Sequence, residues 1–280
     1  MSMFLHLTDI PTGLLVFIAL GFGIIIGSFL NVYIYRFHTG KSLMGSSHCL
    51  SCGTPLKPYE LVPLFSYIFL RGRCRTCKAI IPSRYFLVEL LTGVLFVTVV
   101  LVASDIVEMI FLLVLVTVLV VIAVYDFYHM IIPDELVLAI LAVVFINEVY
   151  LHVMGLPIIV FAWNLLATTL GSLFLWALWR VSKGKWIGFG DVKLVFPLGL
   201  AVGYQSVFSM IVLSFWIGAI VGIILLGIQK LRKRGQPHLR FLPEELTIKS
   251  AVPFAPFLIL GCLSVLFFEI DVVDLLIYDP

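Results

Sequence analysis

Eight stretches of this chain are apolar for close to the length of a membrane crossing, and that repetition limits its fold more than any other feature. They run over residues 12–35, 85–103, 107–125, 135–153, 157–179, 191–205, 207–229 and 252–270. A helix needs roughly 20 apolar residues to cross a hydrocarbon layer. The sixth stretch is the weakest, being short and carrying Lys193 and Pro197. With 62% hydrophobic and 12% charged residues among 280, the chain holds more apolar surface than a water-soluble core can hide. The expected fold is an all-α polytopic membrane protein of about eight transmembrane helices.

The first stretch does not resemble a cleaved secretory signal, because Met1 to Pro11 contains no Lys or Arg and does contain Asp9. Only two connections are long, 36–84 and 230–251, which divides the chain into a first helix (1–35), a loop domain (36–84) and a membrane-embedded helix bundle (85–280). All 18 Lys and Arg fall into three blocks: eight from Arg36 to Arg84, four from Arg180 to Lys193 and six from Lys230 to Lys249. With eight crossings these blocks share one side, which the excess of cations assigns to the cytoplasm, leaving both termini outside. Three small-residue pairs, Gly23/Gly27, Gly199/Gly203 and Gly218/Gly222, have the spacing that lets helices approach closely in lipid.

The first long loop carries Cys49 and Cys52 in one C-x-x-C pair and Cys74 and Cys77 in another, with residues 53–73 between them. Two such pairs can supply the four corners of a structural zinc site, each from one tight turn. Disulfides do not suit a cation-rich loop on the reducing side, and a redox C-x-x-C usually accompanies a strand-helix-strand pattern that is missing here. A four-sulfur site would be closed to water and would fold the loop without catalysing anything.

Ionisable groups at membrane depth are expensive, so each needs a reason. Asp134 and Glu135 follow Pro133 at a helix start, where capping explains them. Glu148 and Glu269 are expected to be solvated at the outer ends of their helices, and Glu89 to form a buried ion pair with Arg84 or to support a site. Asp126 ends the third stretch, where a helix carboxyl end disfavours an acid. Asp191, in "WIGFGDVKL", either caps the sixth helix or does chemistry. Alternation of the crossings brings both aspartates to the cytoplasmic boundary. Two carboxylates in a low-dielectric site share a proton, as in aspartic proteolysis, where one accepts a proton from attacking water and the other stabilises the oxyanion. Gly188 and Gly190 would let an extended substrate backbone approach, and Lys193 is expected to snorkel to the surface.

With "GSFLNVYIYR" (27–36), the paired C-x-x-C loop, "RYFLVELLTG" (84–93), Asp126 followed by "IPD" (132–134) and "GFGDVKL" (188–194), the chain resembles the bacterial type IV prepilin leader peptidases. These are bifunctional G-x-G-D membrane aspartic proteases. The resemblance implies that Asp126 and Asp191 are the catalytic pair and that the substrates are type IV prepilins and type II secretion pseudopilins, cut after a glycine at the end of a short basic leader. It also implies N-methylation of the new amino terminus from S-adenosylmethionine and a place in the bacterial inner membrane; no nucleic-acid partner is expected. The residues themselves do not point to a methyl-donor pocket.

Two other classes compete. In a proton-coupled transporter the same aspartates would carry protons, although no inverted repeat is evident. In a membrane scaffold the zinc loop would dock partners while its cations hold anionic lipid.

Overall fold

The computed structural model describes residues 11–39, 42, 45–232 and 253–277. The third cation block, apart from the backbone of 230–232, lies outside them, as do residues 1–10. Among the described residues the structure is all helical, with two isolated bridges and no extended strand. This is what lipid enforces, since a helix satisfies its own backbone polar groups.

The helices are α1 (Thr12–Arg36), α2 (Phe65–Phe69), α3 (Arg84–Val102), α4 (Ile106–His129), α5 (Asp134–Val153), α6 (Ile158–Ser182), α7 (Phe189–Val202), α8 (Val207–Arg232), α9 (Ala255–Phe268) and α10 (Val272–Ile277). Six of them are long and apolar enough to cross a membrane: α1, α3, α4, α5, α6 and α8. The expected sixth and eighth crossings, α7 and α9, are only 14 residues each. At 1.5 Å per residue each is about 21 Å long, short of a hydrocarbon core of about 30 Å.

The chain divides into two compact units, residues 1–124 and 125–280. In the first, α1 and α3 pack antiparallel. A Cβ on Gly23 would stand 2.8 Å from Gly93 Cα, and one on Gly27 would stand 2.8 Å from Glu89 Cα, so only glycine permits this approach. One turn further on, Asn31 Nδ2 donates to the Tyr85 carbonyl at 3.0 Å.

In the second unit α7 is the buried centre, packed by α5, α6, α8 and α9. Leu194, Val195 and Leu198 are fully buried, and Gly199 admits Thr168 of α6, whose Oγ1 would lie 2.9 Å from an added Cβ. Of the other expected glycines, Gly218 meets α9, where an added Cβ would lie 3.3 Å from the Phe257 ring, but the remaining two make no close helix contact. Gly203 ends α7 with φ +79°, and Gly222 has nothing within 4 Å. The tightest crossing in this unit is one that pair spacing does not mark: a Cβ on Gly261 of α9 would lie 2.2 Å from Ser214 Oγ of α8.

Glu148 is not solvated. It is buried, accepts from Asn164 Nδ2 at 3.0 Å and has His152 Nε2 4.0 Å away. Asn164 Oδ1 in turn accepts from the Tyr204 N–H at 2.9 Å, tying α5 and α6 to the turn after α7.

Candidate functional site

Asp126 and Asp191 are both buried in the second unit. Asp126 lies within the last turn of α4, which runs on to His129, four residues past the expected end. Asp191 lies in the first turn of α7, and its Oδ2 accepts from the Gly188 N–H at 3.0 Å. The capping reading of Asp191 is therefore correct, and it coexists with proximity to a second acid: Asp126 is close enough to act on Asp191 electrostatically.

A helix carboxyl end is a poor place for an acid, and the structure supplies an offset from elsewhere in the chain. The N–H of Ala255, first residue of α9, donates to the Asp126 carboxylate. Two helix amino ends, those of α7 and α9, thus serve the two carboxylates with their partial positive charge. Asp126 Oδ2 is buried and has no hydrogen-bond partner among the described residues. A buried polar atom in that condition is costly unless a ligand, a water or a shared proton completes it.

The segment between α4 and α5 packs on the start of α7. Ile132 packs directly on Gly190: an added Cβ there would stand 3.1 Å from Ile132 Cβ and 3.2 Å from both Cγ1 and Cδ1. This contact is a second demand for glycine at position 190, beside the expected approach of substrate. Gly188 has an ordinary φ of −73°, and its Cβ would meet the carboxylate tip of Asp191 at 3.2 Å and Gly190 N at 3.9 Å. Lys193 does not simply snorkel: its Nζ pairs with Asp134 Oδ1 and lies 5.5 Å from the Phe189 ring centroid. Sequence reading passed over Ile132 and Ala255 as site-forming residues and left Asp134 as a cap. The signal lay in the "IPD" and "APF" segments, but a contact across 58 residues leaves no trace in local spacing.

In the first unit the four cysteines come together between α1 and α3. Their sulfurs all lie within 4.8 Å of one another, and Cys49 Sγ and Cys77 Sγ are 3.8 Å apart. That is too long for a disulfide of about 2.05 Å, and it is the edge of a tetrahedron whose corners stand about 2.3 Å from a central zinc. The two turns repeat one design. Cys49 N–H donates to Thr54 O at 2.9 Å and Cys74 N–H to Ala79 O at 2.8 Å, and Gly53 and Lys78 occupy matching positions at φ +69° and +60°.

The thiols are prepared unequally. The Thr54 hydroxyl and amide beside Cys52 bring it down to about 6. The N–H groups of Cys77 and Thr76 hold Cys74 below its usual value. Cys77 is pushed up to about 11, because desolvation and the neighbouring sulfurs of Cys52, Cys74 and Cys49 outweigh the Ala79 amide. Four thiolates at this spacing need a cation among them, and the residues present fit one.

Glu89 is buried. It accepts from the Leu64 N–H at 2.8 Å and is hydrogen bonded to Ser28, so neutral groups hold it where an ion pair with Arg84 was expected. Leu64 sits at φ +58°, ψ −52°, in a strained three-residue turn closed by Phe65 N–H to Pro63 O at 2.6 Å.

Residues 22–103 match the family described as bacterial peptidase A24 N-terminal domain, and residues 113–223 match the type IV leader peptidase family. The prepilin leader peptidase/N-methyltransferase of Aeromonas hydrophila is 31% identical over 266 residues, covering 85% of each chain. The protein of the same description from Myxococcus xanthus is 35% identical over 73% of this chain and 61% of its own length. That from Pseudomonas aeruginosa is 30% identical over 84% of each. No solved structure matches. The transporter reading finds no support among these relatives.

Proposed function

This chain belongs to the type IV leader peptidase family, and on that premise we propose that Asp126 and Asp191 are its catalytic pair. In this reading the enzyme is a multi-pass protein of the bacterial inner membrane. It removes the short basic leader of type IV prepilins and pseudopilins on the cytoplasmic side, then methylates the amino group so exposed. The observation that carries the peptidase reading is the burial of two carboxylates from helices 60 residues apart in sequence, with Asp126 Oδ2 uncommitted.

The chemistry follows from that placement. One proton is shared by the pair, because two anions in a low-dielectric site repel. The ionised member takes a proton from water as the oxygen attacks the peptide carbonyl, while the protonated member donates to the developing oxyanion. The amine then leaves with a proton from the pair. Gly188 fixes one oxygen of Asp191, and Ala255 positions Asp126, so neither carboxylate needs to reorganise during the step. The pair acts as a unit and its two proton-binding steps belong to both residues.

We assign zinc to Cys49, Cys52, Cys74 and Cys77, where it would join the two turns and supply no catalytic chemistry. The location of both termini outside and of the loop in the cytoplasm rests on the distribution of Lys and Arg. S-adenosylmethionine would supply the transferable methyl group.

The test is leader removal from a purified prepilin by Asp126→Asn and Asp191→Asn variants. Each substitution keeps side-chain size but abolishes acid–base capacity, and each is expected to lower the rate by about 10²–10⁴-fold with membrane insertion unchanged. An Asp126→Asn variant that cuts at the parental rate would refute the assignment.

A further inference from the structure

Three motifs of the first unit, "GSFLNVYIYR", "RYFLVELLTG" and the two C-x-x-C turns, close around one cavity of about 430 Å³. The segment 62–70 forms part of its wall, and the two faces of that segment differ. Ser66, Tyr67 and Leu70 line the cavity. Phe65, Ile68 and Phe69 do not, and they are 61%, 59% and 83% exposed; Val62 before them is exposed as well. Spaced at i, i+3 and i+4 on α2, the three outward side chains form a single apolar face. A contiguous apolar face this open marks contact with a partner or a membrane.

That face is held firmly and at a fixed depth. The Tyr67 ring packs on Phe86 of α3 with centroids 5.5 Å apart. The Tyr67 carbonyl accepts from the Gly72 N–H at 2.9 Å, and the Gly72 carbonyl from the Ile81 N–H at 2.8 Å, so α2 is fastened to the second metal turn as well. The Leu64 N–H, donated to Glu89 of α3 at 2.8 Å, fixes its amino end. α3 has 19 residues, about 28 Å at 1.5 Å per residue, so a hydrocarbon core of about 30 Å takes up its whole length. Phe86 and Glu89 are its third and sixth residues, which puts both attachments within about 8 Å of the helix end. An amphipathic segment lying in a bilayer interface sits about 5–10 Å deep. Leu87 and Leu90, which adjoin Phe86 on the helix surface, are exposed, so the apolar surface of α3 runs up to α2.

Charge points the same way. From Lys57 to Lys78 the loop carries five Lys and Arg against one acid, Glu60, which Arg75 already engages at 2.9 Å. Arg71 and Arg73 follow the apolar face directly, are exposed and pair with no carboxylate among the described residues.

We propose that α2 and its flanks form an interfacial anchor: Phe65, Ile68 and Phe69 enter the bilayer surface beside α3, and Arg71 and Arg73 meet the phosphates of anionic phospholipid. Large apolar side chains at headgroup depth with cations next to them are the chemistry that an anionic lipid surface recognises. The anchor holds the metal turns and the cavity wall down on the membrane, so the loop is part of the bilayer-bound structure and not a separate aqueous domain. It stands apart from the aspartate pair and needs neither proposed activity.

The zinc-loaded full chain is placed in phosphatidylglycerol nanodiscs, with the photoreactive amino acid p-benzoylphenylalanine replacing Ile68 or Phe69, and the adducts formed on irradiation are identified by mass spectrometry. Lipid adducts are expected from both positions. No lipid adduct at either overturns the anchor, and adducts to added prepilin in place of lipid overturn it by assigning the face to substrate. In a second measurement trypsin cuts after Arg71 and Arg73. The variant carrying both Phe65→Ser and Phe69→Ser, which alters exposed side chains alone, is expected to keep parental zinc content and to be cut about tenfold faster or more than the parent in the same nanodiscs. The parent is expected to be cut on the order of tenfold faster in phosphatidylcholine than in phosphatidylglycerol. Equal cleavage of parent and variant overturns the proposal, and equal cleavage in the two lipids overturns the role given to Arg71 and Arg73.

Discussion

Replacing Gly190 by alanine is the sharpest probe of how the aspartate pair is assembled. The added Cβ would stand 3.1–3.2 Å from three carbons of Ile132, where ordinary contact begins at 3.4 Å and extends to 4 Å. Ile132 is buried at 7% exposure and has little room to retreat. Relief therefore requires a shift of about 0.3–0.8 Å between the segment leading out of α4 and the start of α7, at an overpacking cost of about 1–3 kcal/mol. Asp191 is the next residue, so the carboxylates move apart by a similar distance. Since a misplacement of about 1 Å can cost roughly 10²-fold in rate, half of that predicts a loss of about tenfold in leader removal. The assay is cleavage of purified prepilin by Gly190→Ala, Ile132→Ala and the double variant, with thermal unfolding measured alongside. Trimming Ile132 makes room for the new methyl, so the double variant is expected to cut faster than Gly190→Ala alone. If glycine were needed for the approach of substrate, shortening Ile132 would restore nothing. Absence of rescue, or a Gly190→Ala chain within twofold of the parent, refutes the reasoning.

Freshly isolated protein is expected to contain about one zinc per chain by elemental analysis, and Cys74→Ser to lose it; a metal-free parent would reject the site. Zinc binding requires thiolates and releases protons. Loading should therefore fall as pH is lowered and protons compete for the four sulfurs. Asn164→Ala strands Glu148 Oε1 and the Tyr204 N–H, and should destabilise the second unit by about 1–3 kcal/mol per buried unpaired group. Its unfolding midpoint should fall; an unchanged midpoint would show the network to be idle.

The two ways of reading residues succeeded on different things. A helix start was legible where Pro133 opens α5, and the two cysteine pairs were legible because each pair lies within four residues. The three glycine pairs show the limit of spacing as a guide. Gly23 and Gly27 face α3, but Gly222 faces nothing within 4 Å and Gly261, with no partner glycine, makes the closest crossing of α8 and α9. A small residue permits close approach; it does not say which neighbour arrives. Glu148 was misjudged for the same reason, since only the arrival of Asn164 from α6 makes its burial affordable.

What the sequence determined by itself is what lipid and local chemistry enforce: a helical chain with membrane-length apolar helices, two cysteine pairs spaced to hold a metal, and two acids at the ends of apolar stretches. Tertiary structure alone decided that Asp126, at the wrong end of its own helix, is met by the amino end of α9. It also decided that Ile132 packs on Gly190, that Lys193 pairs with Asp134, and that three motifs close around one cavity. The physical reason is range. Helix propensity, hydropathy and tight turns act over a few residues, whereas burial, hydrogen bonding and close packing join groups that the chain holds scores of residues apart.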